Sequence, residues 1–491
     1  MLREPARPAV IREHPLAPWF AVTAVCFGAF MGQLDASVVT VAFPALQRQF
    51  GTGLAGTQWV SLAYLLVLTA LLVPAGRWSD RAGRKLLYLY GFALFAVTSA
   101  ACGLATSLAM LIALRAAQAC GAALLQANSV ALVVTSVPAR TRRAALGVQA
   151  AAQAVGLASG PVIGGVLVGT VGWRWVFFLN VPVGLLAVVA GWYLLPRTRR
   201  PAVDQAAGRR AVGRRAVGQH GDTPRSGGGP GGADLGGMGL LAAAASAGML
   251  AISSLSGLGL PAWAVVACLG FAFLAGAALV RRERQVAAPL IDLRAMAAYG
   301  TGPALGGALC SYLVLFGPLV LFPQVVSARG GSAAAGGLLL TALPAGFGLA
   351  AAFADRLLPA WWSNRHRCAL GGALAVAAAA ALALPAPAAV TVALLGVLGA
   401  GLGLYTPANN AEIMAALPVR DAAAAGGMVN MTRGIGTALG VAVVTLGLHA
   451  GERLRWPDAG LALSMAALTA VALAMLGCGL RGVRAVPGVV R

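Results

Sequence analysis

The chain has 491 residues, of which 59% are hydrophobic and only 10% charged; its mean hydropathy is +0.82 and its formal net charge +22. A soluble globular domain carries about 25% charged residues, so this chain has too little polar side chain to cover a water-facing surface, which argues against a soluble enzyme or a soluble nucleic-acid binder. An all-α polytopic membrane protein fits, and there the excess of Lys and Arg has a topological cause.

Fourteen apolar stretches approach the length of a bilayer-spanning helix. They fall near 18–42, 57–76, 86–105, 108–135, 144–170, 175–195, 238–256, 261–280, 301–325, 333–353, 367–385, 388–411, 423–447 and 459–480. The polar, proline-bearing N-terminal tail and the length of the first run do not read as a cleaved signal peptide. Of the 36 Lys and Arg residues, twenty-nine fall on one side of this arrangement and five on the other, while Arg115 and Arg433 lie inside spans. Such alternation through every loop puts both termini in the cytoplasm. Most tryptophans sit at span ends, as in an interfacial belt. The seven cysteines have no CxxC spacing and read as small apolar packing residues.

The first span holds one ionisable residue, Asp35, within WFAVTAVCFGAFMGQLDASVVTVAFP. A charge at that depth costs roughly 2.5–3.5 kcal/mol on insertion scales and marks a functional site by default. After the second span comes Gly76-Arg77-Trp78-Ser79-Asp80-Arg81-Ala82-Gly83-Arg84-Lys85, expected as a short cationic loop whose charges remake their pairs as helices shift. Its G-x-x-x-D-R-x-G-R-K pattern resembles the signature loop of the major facilitator superfamily. The resemblance implies that Gly76, Asp80, Arg81, Gly83, Arg84 and Lys85 form a conformational gate, with Asp80 and Arg81 latching the cytoplasmic side.

In the fourth span, Arg115 lies too deep to snorkel easily and needs an acceptor. Asp35 sits about 17 residues, some 25 Å, from the cytoplasmic end of the first span. Arg115 lies about one-third of the way in from the opposite face, so both fall in the outer half. A neighbouring cation and a desolvating environment pull on the Asp35 proton in opposite directions, which suits a proton-coupling pair; a purely structural ion pair is the alternative. The surrounding R-A-A-Q-A-C-G resembles the superfamily's R-x-x-Q-G-x-G motif.

The fifth span carries Gly156, Gly160, Pro161, Gly164 and Gly165 in the pattern G-x-x-x-G-P-x-x-G-G. In lipid these residues permit close backbone approach and a kink. The pattern resembles the antiporter motif of superfamily members that export drugs in exchange for protons. W-R-W-V-F-F-L-N-V-P at 173–182 and L-D-A-S-V-V at 34–39 are similar to the fourteen-span drug:proton antiporter branch.

The Gly- and Arg-rich stretch 196–237 has no apolar period and is expected to be a solvated linker near anionic lipid; it lacks the interleaved aromatics of an RNA binder. The resemblance implies a cytoplasmic tail at 1–17, a six-helix bundle at 18–195, that linker, two extra helices at 238–280, a second six-helix bundle at 281–480 and a tail at 481–491. The implied function is proton-coupled export of amphipathic small molecules by alternating access; the alternative is a proton-coupled importer of a small metabolite. Scattered histidines and the absence of a P-loop disfavour an enzyme or an ATP-driven pump, and a non-transporting sensor fits Asp35 poorly. No cofactor is expected beyond the proton gradient. The partners implied are a small-molecule substrate, protons and membrane lipids, with no nucleic acid and a monomeric state, in a bacterial cytoplasmic membrane. Gln33, Gln126, Asn128, Tyr312, Gln324, Asn409 and Arg433 are the candidate cavity-lining residues.

Overall fold

The computed structural model describes residues 7–198, 235–254, 260–286, 300–359, 361–416, 422–454 and 458–481. Most of the linker expected at 196–237, and the tail after Arg481, lie outside them.

The described residues form helices in the expected order. They are α1 (Ala17–Phe50), α2 (Trp59–Ala82), α3 (Arg84–Gly103), α4 (Leu108–Ser136), α5 (Arg142–Thr170) and α6 (Asn180–Leu194); then α7 (Leu235–Ser253) and α8 (Ala262–Glu283); then α9 (Gly302–Ala328), α10 (Ala333–Leu357), α11 (Asn364–Ala381), α12 (Ala388–Ala416), α13 (Ala422–Leu454) and α14 (Ala459–Arg481). Short helical pieces, Leu54–Thr57 and Arg174–Phe178, lead into α2 and α6. Helices are the expected answer to an apolar medium, because each satisfies its own backbone groups without water. Among the described residues twelve helices are long and apolar enough to cross a membrane. The two that fall short are α7, whose apolar part is Gly239–Gly248, and α11, whose first turn holds Arg365, His366 and Arg367.

Helices α1–α6 pack on one another and α9–α14 do the same, giving two six-helix bundles with α7 and α8 inserted between them. Tyrosine hydroxyls tie helices within each bundle: Tyr88 donates to the Val25 carbonyl at 3.0 Å and Tyr405 to the Met475 carbonyl at 2.9 Å. The bundles meet where α5 packs on α10, α2 on α13 and α1 on α9. Helix α7 packs on α2 and α13, along that second seam, and α8 packs on α7. Trp263, Val266, Phe273 and Leu274 of α8 are exposed, as expected of a face turned to lipid.

Two boundaries differ from the sequence reading. Helix α1 continues to Phe50, eight residues past the expected end, with Pro44 inside it. The charged stretch after the second span is not a loop: α2 runs on through Ala82, and only Gly83, at φ +107°, separates it from α3. That backbone angle is one that side-chain-bearing residues rarely adopt. Trp173, one of the tryptophans at a span end, is buried, with the Arg174 guanidinium 4.6 Å from its ring centroid.

Candidate functional site: a buried ion pair beside an interbundle cavity

Helix α1 presents three different faces to its surroundings, and the site is built from them. The first carries Asp35, which is 0% exposed. Arg115 of α4 is 1% exposed, and its Nη1 donates to Asp35 Oδ2 at 2.7 Å. The same nitrogen donates to Gln118 Oε1, one turn along α4, at 2.7 Å, and Nε donates to the Val60 carbonyl in the first turn of α2 at 3.1 Å. The guanidinium lies 4.2 Å from the Tyr64 ring centroid and 5.8 Å from that of Phe177. On the carboxylate, Oδ1 accepts from Asn180 Nδ2 at 3.0 Å and from Gln118 Nε2 at 3.4 Å. Asn180 also donates to Ser99 Oγ at 3.1 Å, and Ser99 in turn donates to the Phe177 carbonyl at 2.8 Å. Five helices, α1, α2, α3, α4 and α6, thus converge on one dry network.

Burying two charges costs several kcal/mol each, and their attraction offsets that only when further hydrogen bonds satisfy both groups. Here both carboxylate oxygens and two guanidinium nitrogens have partners. The network is therefore a paired arrangement that losing either charge would disrupt. The Tyr64 hydroxyl and Asn180 Oδ1 are buried at its edge and have no hydrogen-bond partner among the described residues.

The second face of α1 meets α5, and the glycine-proline motif explains how closely. Gly156, Gly160 and Gly164 recur at i, i+4 and i+8, one stripe of the helix. A Cβ on Gly156 would collide with the Phe30 carbonyl, and one on Gly164 would lie 2.9 Å from Val38 Cγ2. One on Gly160 would run into the Ser37 side chain and reach within 3.0 Å of the Val38 nitrogen. Pro161 and Gly165 lie on an adjacent stripe that faces the other bundle. A Cβ on Gly165 would sit 2.8 Å from the Ala333 carbonyl, and one on Gly337 of α10 would strike the Pro161 carbonyl. One motif thus serves two contacts, one inside its bundle and one across the seam.

The third face of α1, with Gly32, Gln33 and Ala36, lines a cavity of about 40 Å³ between the bundles. Tyr64 and Gln126 join it from the first bundle, and Tyr312, Phe316 and Arg433 from the second. That space has room for a few waters and is well short of the roughly 300–1,000 Å³ of a drug-sized site. Arg433 is half-buried; its guanidinium lies 4.5 Å from the Tyr312 ring centroid and Nη1 donates to Asn430 Oδ1 at 3.2 Å. A larger cavity, about 490 Å³, lies at the end of the molecule that carries Gly53, lined in part by Gln47, Gln324, Glu452 and the Arg329–Asp458 ion pair at 2.6 Å.

The expected cavity residues therefore divide. Gln33, Gln126, Tyr312 and Arg433 line the central space. The other three do not. Asn128 is buried on the far side of α4, donating to Ser79 Oγ and the Leu124 carbonyl, both at 2.7 Å. Asn409 ties α12 to α9 through the Ala304 carbonyl at 2.8 Å. Gln324 belongs to the larger cavity. Each is a polar residue in an apolar span, and for Asn128 and Asn409 the polarity is absorbed by a neighbouring helix.

In the charged segment, Gly76 lies close to Ala127 of α4 and Arg84 opens α3. The side chains of Asp80 and Arg81 lie outside the described residues. Lys85 does more than expected of a gating cation: it is fully buried, and its ammonium donates to the Trp192 and Leu195 carbonyls at 2.8 and 2.7 Å. It thereby satisfies backbone groups that the end of α6 leaves unpaired, where the helix dipole also favours a cation. Sequence reasoning missed Tyr64, Ser99, Gln118 and Asn180. Gln118 carried a signal, a polar residue three positions from Arg115, and Asn180 another, as the polar residue that begins an apolar helix.

The Major Facilitator Superfamily profile matches residues 25–225 and 234–441 of this chain. The tetracenomycin C resistance and export protein of Streptomyces glaucescens is 42% identical over 182 residues, which is 37% of this chain and only 34% of that protein. The methylenomycin A resistance protein of Streptomyces coelicolor is 30% identical over 464 residues, 94% of this chain and 90% of that protein. In fold, the chain is similar to a bacterial homologue of the human lysosomal transporter Spinster, with a TM-score of 0.59 over 95% of each chain at 16% identity.

Proposed function

The chain belongs to the major facilitator superfamily, as a multi-pass membrane transporter of its drug-exporter branch, and from that premise we propose that it exports an amphipathic small molecule in exchange for protons. The observation that carries the proposal is the Asp35–Arg115 pair, sealed from solvent on one face of the helix whose next face lines the interbundle cavity. Protonating Asp35 removes the charge that holds Arg115 and frees the guanidinium to seek other acceptors. Any resulting shift of α1 is felt at the cavity through Gln33 and at the bundle seam through α5. Tyr64 stands between the two compartments, its ring against Arg115 and also lining the cavity. Residues 18–195 and 281–480 act as the rocking bundles, both termini face the cytoplasm of a bacterial cell, and the monomer runs on the proton gradient with no cofactor. The cytoplasmic ends of α2 and α3, with Asp80, Arg81, Gly83 and Arg84, serve as the gate.

The test uses everted membrane vesicles with an imposed proton gradient and fluorescent amphipathic dyes of both charges. Accumulation that a protonophore abolishes supports the reading. Accumulation driven by ATP without a proton gradient, or dye movement only in the opposite direction, overturns it.

A further inference from the structure

We propose that the transported compound is an amphipathic organic anion whose negative group docks on Arg433. The inference rests on the reading of the central cavity as the substrate site, and adds its charge class.

Among the described residues, the cavity wall holds a single charged side chain, Arg433, and no acidic residue. Asp35, the membrane-buried acid nearest to it among the described residues, is consumed by Arg115 on another face of α1. The partners of Arg433 among the described residues are neutral: the Asn430 amide oxygen at 3.2 Å and the Tyr312 ring at 4.5 Å. A guanidinium keeps its charge under all physiological conditions. Held at membrane depth with no counter-ion among the described residues, it attracts an anion and disfavours a cation entering the same space. Its stacking on Tyr312 fixes the plane of the fork, which presents paired N–H groups to a carboxylate or phenolate. The rest of the wall fits the body of such a molecule. Leu65, Leu68, Leu72 and Phe316 supply apolar surface, while Gln33 and Gln126 supply hydrogen bonds. In the present state the cavity is too small for it, so the site opens as the bundles part, and Arg433 on α13 and Tyr64 on α2 then stand on opposite walls.

Binding of two xanthene dyes of the same ring size, fluorescein (anionic) and rhodamine 123 (cationic), to the purified full-length protein in phosphatidylcholine nanodiscs, read by fluorescence polarisation against empty discs, tests this. The wild type is expected to bind fluorescein more tightly. Arg433→Gln is expected to weaken fluorescein by roughly tenfold or more, the loss typical of a charge-assisted hydrogen bond, while rhodamine 123 affinity is kept or rises as the repelling charge is removed. Arg433→Lys should retain most of the fluorescein affinity. A wild type that prefers rhodamine 123, binding of neither dye, or an Arg433→Gln protein of unchanged elution profile that keeps its fluorescein affinity would each overturn the proposal. No gradient is present in this measurement, so it stands or falls separately from proton coupling.

Discussion

Arg115 and Asp35 are 80 residues apart in sequence, yet their side chains meet at 2.7 Å with neither more than 1% exposed. Removing one partner strands the other in a dry site, at a cost of about 3–5 kcal/mol, whereas removing both costs much less than the sum. Thermal unfolding in detergent of Asp35→Ala, Arg115→Ala and the double variant should therefore show strong non-additivity. Additive losses would mean that the two charges do not depend on each other.

The two stripes of the α5 motif predict two kinds of defect. Gly160→Ala places a methyl against Ser37 and Val38 inside the first bundle, and overpacking of this sort costs typically 1–3 kcal/mol. Gly169, in the same helix with nothing within 4 Å of a Cβ, is the internal control: Gly169→Ala should be neutral or slightly stabilising. Unfolding temperatures of the two variants check this, and a Gly160→Ala protein no less stable than Gly169→Ala would show that close approach does not govern the motif.

Gly337→Ala acts across the seam, because its methyl would strike the Pro161 carbonyl of the other bundle. The expected result is a transport rate that falls by more than the unfolding temperature would suggest, since α5 and α10 must still slide past each other. Dye flux per folded molecule measures it; a variant with wild-type flux would remove this contact from the transport cycle.

At the turn between α2 and α3, Gly83→Ala forces a side chain into φ +107°, which costs on the order of 1–3 kcal/mol. Lys85→Met leaves the Trp192 and Leu195 carbonyls without their ammonium donor, for a loss of about 1–3 kcal/mol. Both variants should melt earlier, and Lys85→Met should keep its flux per folded molecule. A large flux defect in stable Lys85→Met protein would show that Lys85 acts in gating as well as in anchoring α6.

The span order was legible because length and apolarity alone satisfy the demands of lipid, and the alternating Lys and Arg fixed the punctuation. Asp35 and Arg115 were legible as lone charges in apolar runs, and their similar depth pointed to a shared level. The partners of the pair were not legible. Asn180 and Gln118 are conspicuous in sequence, but only the rotation of α6 and α4 decides that they face Asp35, and Asn128 looked equally conspicuous while turning away. The charged stretch at Gly76–Lys85 read as a loop because polarity at a span end resembles a connection, yet α2 keeps its hydrogen bonds past the apolar limit and yields only at Gly83. Lys85 reads as one more cation of the gate because nothing local in the sequence shows that α6 ends beside it.

The claim that Asp35 couples protons to transport is tested most directly by comparing two modes of the Asp35→Asn protein in proteoliposomes. The modes are uphill accumulation of a transported dye under an imposed proton gradient, and exchange of labelled for unlabelled dye with no gradient. The variant, once shown to be folded, is expected to lose uphill accumulation while retaining exchange, because Asn stands in for the protonated carboxyl and leaves every cavity and seam side chain in place, with only the titrating group gone. Uphill accumulation at the wild-type level in Asp35→Asn would contradict that claim and leave the buried pair a structural feature alone.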